Sequence, residues 1–249
     1  KRNIMKKIIT LITLSVFFIS GCVASQPENT FYNDGVAFLD NLQFSLALEQ
    51  FKLAINFDNQ HLDSYLQAAD ILISKGRYDE ALPLLDTGTK AVSNSSKIYE
   101  RIGDINLITY KLPTALSNYN DSIKKNSENV NAVKGKIKVL ALSGKNDELK
   151  SFVRDLKFDQ SDQELQIMKG LVFIGNDEKI ATESFKKASE GEISRLADIG
   201  SDLVSLAGKL DKKDNYLLNL AKIVFIALDN GFTAVPFPLT NKMIKENQY

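Results

Sequence analysis

The sequence predicts an all-α fold, a solenoid of about five helix-turn-helix repeats, and three observations carry this prediction. Small and bulky residues recur with a period of 34 residues over the first half of the chain. Within each repeat they fall at helical spacing. Gly76 and Gly144 stand where a first helix would end and turn into a second. The composition fits a globular chain, since 44% of its 249 residues are apolar and 25% are charged.

The balance of residue types excludes several classes of function. The 31 Lys and Arg are matched by 31 Asp and Glu, which argues against a nucleic-acid-binding protein built on a basic face. One Cys and one His cannot form a disulfide framework or a Cys/His zinc site within a single chain. We therefore predict no metal, no cofactor and no nucleic-acid partner.

Residues 1–21 are predicted to be a secretory signal. Lys6 and Lys7 precede an apolar run that is too short to cross a hydrocarbon core of about 30 Å comfortably. The segment Ile19–Cys22, Ile-Ser-Gly-Cys, resembles the lipobox of bacterial lipoproteins. That resemblance implies acylation of Cys22, as in palmitate-bearing lipoproteins, and attachment to a membrane without spanning it. Val23 rather than Asp follows, which by resemblance favours the periplasmic face of the outer membrane.

An incidental cysteine near an ordinary cleavage site is the alternative interpretation. On the lipoprotein interpretation, residues 22–30 are the acylated cysteine and a short polar tether, and residues 31–190 are the repeat region.

The first repeat is counted from Glu28, and the same six positions of each repeat carry its pattern. The residues predicted to pack the repeats are Gly35, Ala47, Phe51, Ala54, Tyr65, Ala81, Tyr99, Gly103, Ala115, Tyr119, Ala181 and Phe185. This pattern resembles the tetratricopeptide repeat (TPR), which implies two packed helices per repeat. Small residues let helices approach closely and bulky residues fill the gaps. A fourth repeat from Val130 is degenerate, and a fifth begins near Asp162.

An ordinary amphipathic helical bundle with chance spacing is the alternative to the repeat. Two prolines bear on the helix pairs. Pro113 is predicted to lie in the loop of the third repeat, and Pro83 within about the first turn of the second helix of repeat two, where a helix tolerates it. Residues 191–249 are predicted to form a helical C-terminal cap and tail that cover the end of the solenoid.

The TPR resemblance also implies a binding groove, because the first helix of each repeat lines one face of a TPR solenoid. The predicted groove residues are Tyr32, Val36, Leu39, Leu66, Asp70, Glu100, Asp104, Lys134 and Lys138. They predict a peptide or partner segment lying across an apolar, then an acidic, then a basic stretch. A solvated face with the interface elsewhere is the alternative. In the first three repeats, the positions that hold a terminal carboxylate in chaperone-binding TPR proteins carry no Lys or Asn, so such a clamp is not expected; they are Tyr32, Leu66, Glu100, Val36, Asp70 and Asp104.

Catalysis finds little support in the sequence. His61 lies at the junction of repeats one and two and has no nucleophile motif to serve. The pairs Asp79-Glu80 and Asp147-Glu148 fall at predicted helix starts, where carboxylates favour the helix dipole. We therefore predict a protein that is not an enzyme.

A lipoprotein made almost wholly of TPR repeats resembles the TPR lipoprotein of the Tad/Flp pilus locus and the type IV pilus pilotins. The resemblance implies a periplasmic scaffold that binds secretin or pilus-assembly components at the outer membrane. A general periplasmic co-chaperone or envelope-assembly adaptor is the first alternative, and an enzyme subunit is a remote one. Native co-purification distinguishes the pilus-assembly scaffold from the co-chaperone or adaptor.

Overall fold

The computed structural model describes residues 27–156 and 162–189, together with position 201. In these residues the chain forms ten helices and no strand. The helices are α1 (Pro27–Asp40), α2 (Phe44–Phe57), α3 (Leu62–Ser74), α4 (Tyr78–Ala91), α5 (Ser96–Ile108), α6 (Leu112–Lys125), α7 (Val130–Leu142), α8 (Asn146–Arg154), α9 (Gln163–Phe173) and α10 (Glu178–Ala188). Consecutive helices pair as the repeat predicts, so the all-α prediction is confirmed for this part of the chain.

The chain divides into two compact units between Ser93 and Asn94. The N-terminal unit contains α1 to α4, which are the first two repeats. The C-terminal unit contains α5 to α10, which are the third repeat and the two degenerate ones. Each unit has its own buried core.

Aromatic rings packed on glycines hold the helices of a repeat close together. A Cβ atom added to Gly35 would lie 2.6 Å from the Phe51 ring, and one added to Gly103 would lie 2.7 Å from the Tyr119 ring. The Tyr119 ring also packs on Gly135 of the next repeat, where an added Cβ would lie 2.3 Å away. A Cβ atom at these distances would fit only if the rings moved, so both predicted glycines lie where the helices of a repeat come close together.

The remaining predicted packing residues are buried, apart from Tyr99, which is half-buried. The degenerate fourth repeat keeps its core by using larger aliphatic residues. Ile137, Leu140, Leu149 and Val153 there are at most 1% exposed. In the fifth repeat Ala181 and Phe185 are fully buried, as the sequence predicts.

The turns inside the first four hairpins share one geometry. Each places one residue in the left-handed region, namely Leu42 (φ 58°), Gly76 (φ 69°), Tyr110 (φ 59°) and Gly144 (φ 68°). In the second hairpin the Arg77 N–H donates to the Leu72 carbonyl and the Gly76 N–H donates to the Ile73 carbonyl, both at 2.9 Å. The other three hairpins have the same two bonds. This is the Schellman motif, which caps the orphan carbonyls of a helix end.

The two prolines lie elsewhere than predicted. Pro113 is the second residue of α6 rather than a loop residue, because a helix start needs no N–H at that position. Pro83 is the sixth residue of α4 and lies inside the helix, so the prediction that it falls in the first turn is wrong. It cannot donate to the Asp79 carbonyl, yet α4 continues to Ala91 because buried Leu85 and Gly88 hold it to its neighbours.

Helix α1 begins at Pro27, so the last four residues of the segment predicted as a tether are helical. Cys22, the predicted signal at residues 1–21 and almost all of the predicted cap at 191–249 lie outside the described residues. Among the helices described, none is both long enough and apolar enough to cross a membrane.

Candidate partner-binding site

The nine predicted groove residues all lie on first helices of the hairpins, but they belong to both compact units. The N-terminal unit carries five of them, Tyr32, Val36, Leu39, Leu66 and Asp70, and the C-terminal unit carries Glu100, Asp104, Lys134 and Lys138. Their surroundings differ in the two units.

In the N-terminal unit, Tyr32 of α1 is half-buried against neighbouring rings. Its ring centroid lies 5.6 Å from that of Phe51 and 4.9 Å from that of His61. Burial raises the pKa of the Tyr32 hydroxyl, the Asp63 carboxylate raises it further, and a hydrogen bond with the Gln67 side chain lowers it. The ring is thus fixed in place while part of it remains accessible.

Val36 and Leu39 follow Tyr32 on the same side of α1 and are also half-buried. Leu66 of α3 is only 8% exposed, so it presents little surface to a partner. Asp70 is half-buried. The accessible apolar surface of the predicted site therefore comes from Tyr32, Val36 and Leu39, which we call the α1 face.

His61 has a structural role at this place. It is the N-cap residue of α3, and its Nδ1 accepts a hydrogen bond from the Ser64 backbone N–H at 3.3 Å and lies 2.8 Å from the Ser64 hydroxyl. A ring nitrogen that caps a helix start is engaged with the backbone. The structure thus places His61 at the turn between repeats one and two, where the sequence predicts it.

In the C-terminal unit, the predicted acidic residues have hydrogen-bond and ion-pair partners within that unit. Glu100 is 3% exposed, and its Oε1 accepts from Arg101 Nη1 at 2.6 Å and from Asn131 Nδ2 at 3.4 Å. Arg101 Nη1 also lies 3.6 Å from Asp104 Oδ2. A buried carboxylate with these partners is satisfied and does not need a ligand.

Asp104 accepts a 2.8 Å hydrogen bond from the Tyr119 hydroxyl. Burial raises the pKa of Asp104 to about 6, while the Tyr119 hydrogen bond lowers it, Glu100 raises it, and Arg101 and Lys138 lower it. The Asp104 carboxyl therefore loses its proton at a higher pH than an ordinary aspartate does.

The predicted basic end is paired with the next repeat. Lys134 Nζ lies 2.7 Å from Glu164 Oε2 and 2.9 Å from Asp162 Oδ2, and Lys138 Nζ lies 4.0 Å from Glu164 Oε1. Burial lowers the pKa of Lys134, but its bonds to Glu164 and Asp162 outweigh burial and raise that pKa overall. These lysines join α7 to the start of α9, so they connect repeats four and five.

A buried polar cluster that the sequence analysis missed joins repeats three and four. The Ser122 hydroxyl donates to the Ser96 carbonyl at 2.8 Å, and the Ser96 hydroxyl donates to the Ser122 carbonyl at 3.0 Å. Asn129 Nδ2 donates to both hydroxyls, at 3.1 and 3.0 Å. Asn129 Oδ1 meanwhile caps α7 by accepting from the Ala132 N–H. An Asn directly before a helix is the sequence signal that could have found it.

The described residues contain no group of three or more His, Cys, Asp or Glu side chains placed to hold a metal ion. The carboxylate pairs Asp79-Glu80 and Asp147-Glu148 lie in the first turns of α4 and α8, as predicted. There they face the positive end of the helix dipole.

Comparisons with known proteins identify the fold. No protein-family model matches the chain, and no curated protein is significantly similar to it. Among solved structures, it is similar to YrrB, described as "a TPR protein with an unusual peptide-binding site", with a TM-score of 0.51 and 18% identity over 72% of this chain and 91% of that one. It is similar to a thermophilic TPR protein of Thermus thermophilus, with a TM-score of 0.50 and 18% identity over 74% of this chain and 100% of that one.

A TPR protein from Parabacteroides merdae is also similar, with a TM-score of 0.55 and 16% identity over 88% of this chain and 86% of that one. At these identities the likeness concerns the fold. Together with the ten described helices, it confirms an all-α fold of TPR hairpins.

Proposed function

We propose that this protein is a lipid-anchored scaffold that binds a segment of a partner protein on the α1 face. The observation that carries the proposal is the contrast between its two units. The polar groove residues of the C-terminal unit are held by hydrogen bonds and ion pairs within that unit. Tyr32, Val36 and Leu39 of the N-terminal unit instead keep part of their apolar surface accessible.

The chemistry of the α1 face selects a segment with apolar side chains. Tyr32 offers a fixed aromatic ring, and rigid aromatic residues carry much of the binding energy in protein interfaces. Val36 and Leu39 lie four and seven residues further along α1, so the three side chains form one line on the helix. A short apolar or amphipathic segment fits such a line. The described peptide-binding site of YrrB supports peptide binding by a protein of this fold.

The location and the partner are proposed from sequence. The Ile-Ser-Gly-Cys segment ending at Cys22 favours acylation and attachment at the periplasmic face of the outer membrane. Resemblance to TPR lipoproteins of pilus systems makes a secretin or a pilus-assembly component the first candidate partner. A protein of this kind would act as a pilotin-like assembly factor and not as an enzyme.

Affinity purification after crosslinking in the native envelope tests this function. The full-length protein is compared with Cys22→Ser, with the double variant Val36→Glu/Leu39→Glu, and with a matched control, Asn33→Glu/Ala37→Glu. The control residues are exposed on α1 but lie away from the α1 face. We expect a secretin or pilus component that is enriched with the native chain and the control and lost with Val36→Glu/Leu39→Glu.

Two other results would contradict parts of the proposal. Equal enrichment with both double variants would remove the α1 face from the site. Recovery of many unrelated envelope proteins, with no pilus component among them, would favour the co-chaperone or adaptor function instead.

A further inference from the structure

One helix of the first repeat carries an apolar stripe on its outer side. Leu46, Leu53 and Phe57 of α2 are 45%, 37% and 53% exposed. Their spacing of seven and four residues places them in one line along the helix, about 16 Å long. The buried residues Ala47, Phe51 and Ala54 lie on the other side of α2. We call these three exposed residues the α2 stripe.

In the described residues, the second to fourth repeats do not carry such a stripe. Because the repeat length is 34 residues, the corresponding outer positions can be read in the other repeats. The positions that correspond to Leu46 hold Glu80, Thr114 and Glu148. Those that correspond to Leu53 hold Thr87, Asp121 and Asp155, and those that correspond to Phe57 hold Ala91 and Lys125. All but Ala91 are polar and exposed. A solvated outer face is therefore the rule in these described repeats, and the first repeat departs from it at three positions in one line.

The position of the stripe in the chain indicates what covers it. Helix α1 begins five residues after Cys22, and five residues of extended chain reach at most about 17 Å. An acylated Cys22 would therefore hold the first repeat close to the lipid headgroups. The charged residues of α2 are Glu49 and Lys52, one of each sign, so an anionic lipid surface is not repelled.

We propose that the α2 stripe lies on the membrane surface to which the chain is anchored. This inference rests on the proposed lipid anchor at Cys22. The anchor makes contact between stripe and lipid an intramolecular event, so the modest transfer free energy of three apolar side chains is sufficient to orient the repeat. The α1 face belongs to the neighbouring helix of the hairpin and remains available to a partner protein.

Site-specific fluorescence in vesicles tests the inference. The full-length lipoprotein is reconstituted into phosphatidylethanolamine and phosphatidylglycerol vesicles that contain a spin-labelled lipid as quencher. A thiol-reactive environment-sensitive dye is attached at Leu53→Cys or Phe57→Cys, and at Thr87→Cys as the matched control. Thr87 occupies the position of Leu53 in the second repeat and is exposed. Acylation blocks Cys22, the one native cysteine, so the dye reports the introduced site.

We expect quenching by the labelled lipid to be about twofold or more stronger at positions 53 and 57 than at position 87. Equal quenching at all three positions in acylated protein would overturn membrane docking and leave the anchor standing. Shielding of the dye at position 53 from water that depends on protein concentration and not on labelled lipid would also overturn membrane docking. A second copy of the chain would then cover the stripe. Absence of a lipid mass on Cys22 would overturn both the anchor and the docking.

Discussion

In the part of the chain that the structure describes, two non-glycine residues occupy a backbone conformation that favours glycine. Leu42 and Tyr110 have φ of 58° and 59° and take the place that Gly76 and Gly144 hold in the other hairpins. The left-handed conformation costs an L-residue about 1–2 kcal/mol. Leu42 is 73% exposed, so packing of its side chain offsets little of that cost.

Replacing Leu42 with glycine is therefore expected to stabilise the N-terminal unit. The gain is about 0.5–1 kcal/mol, because relief of the left-handed strain outweighs the greater chain entropy that glycine gives the unfolded state. Urea unfolding followed by circular dichroism measures it.

The matched control is Gly76→Ala, which introduces the opposite change in the second hairpin. An added Cβ there meets nothing within 4 Å, so its effect is conformational and should lower the free energy of unfolding by a similar amount. A stabilising Gly76→Ala, or a destabilising Leu42→Gly, would show that φ does not govern these turns.

Asp104 makes the stability of the C-terminal unit depend on pH. Burial raises its pKa in the folded protein from 3.8 to about 6, so the folded state holds its proton to higher pH than the unfolded state. Stability contributed by this group is then complete below about pH 4 and is lost as the pH rises through about 6. The Asp104 side chain is still 37% exposed, which reduces the size of the effect.

The variant Asp104→Asn is expected to be more stable than the native protein at pH 7.5 and to lose that advantage at acidic pH. An amide has no charge to desolvate, and its oxygen still accepts from the Tyr119 hydroxyl. Unfolding midpoints measured across this pH range test the sign. Asp121→Asn, an exposed position on α6, is the control. If the difference between native and Asp104→Asn proteins did not change with pH, burial of this carboxyl would play no part in stability.

At the scale of helices, the junction between repeats three and four depends on hydrogen bonds rather than on apolar packing alone. Asn129 caps α7 and donates to the hydroxyls of Ser96 and Ser122 in the same place. A polar cluster in which every member is paired fixes the relative position of the helices that contribute to it.

Asn129→Ala is expected to lower the free energy of unfolding by about 1–2 kcal/mol. The change removes a helix cap and two buried hydrogen bonds, although the serines still pair with each other's backbone. Asn120→Ala at an exposed position of α6 should change stability by less than about 0.5 kcal/mol. Equal effects of the two substitutions in denaturant unfolding would mean that the cluster contributes nothing.

At the scale of the whole molecule, the sequence predicts best what local and periodic signals determine. The helix pairs, the turns at Gly76 and Gly144, and the rings of Phe51 and Tyr119 packed on glycines follow from spacing and steric size. Residue type alone does not reveal the left-handed Tyr110, because nothing distinguishes it from a tyrosine in an ordinary turn.

The binding site could be predicted only in part. Position within the repeat correctly places the groove residues on first helices, but it does not say which of them have partners inside the protein. The ion pairs of Lys134 with Asp162 and Glu164 join the fourth repeat to the fifth, and the fifth no longer follows the 34-residue phase. Their geometry depends on how degenerate repeats stack, which the sequence pattern does not encode.

Photocrosslinking in living cells tests the central claim, that the α1 face of a lipid-anchored chain holds a partner protein. A photoreactive amino acid is placed at Leu39, on the α1 face, or at Thr114, an exposed position on α6, in the full-length chain. We predict a discrete adduct with an envelope protein from position 39 and none from position 114, and loss of the adduct with Val36→Glu. Adducts of equal yield from both positions, or none from position 39 in cells that make the acylated protein, would contradict the account.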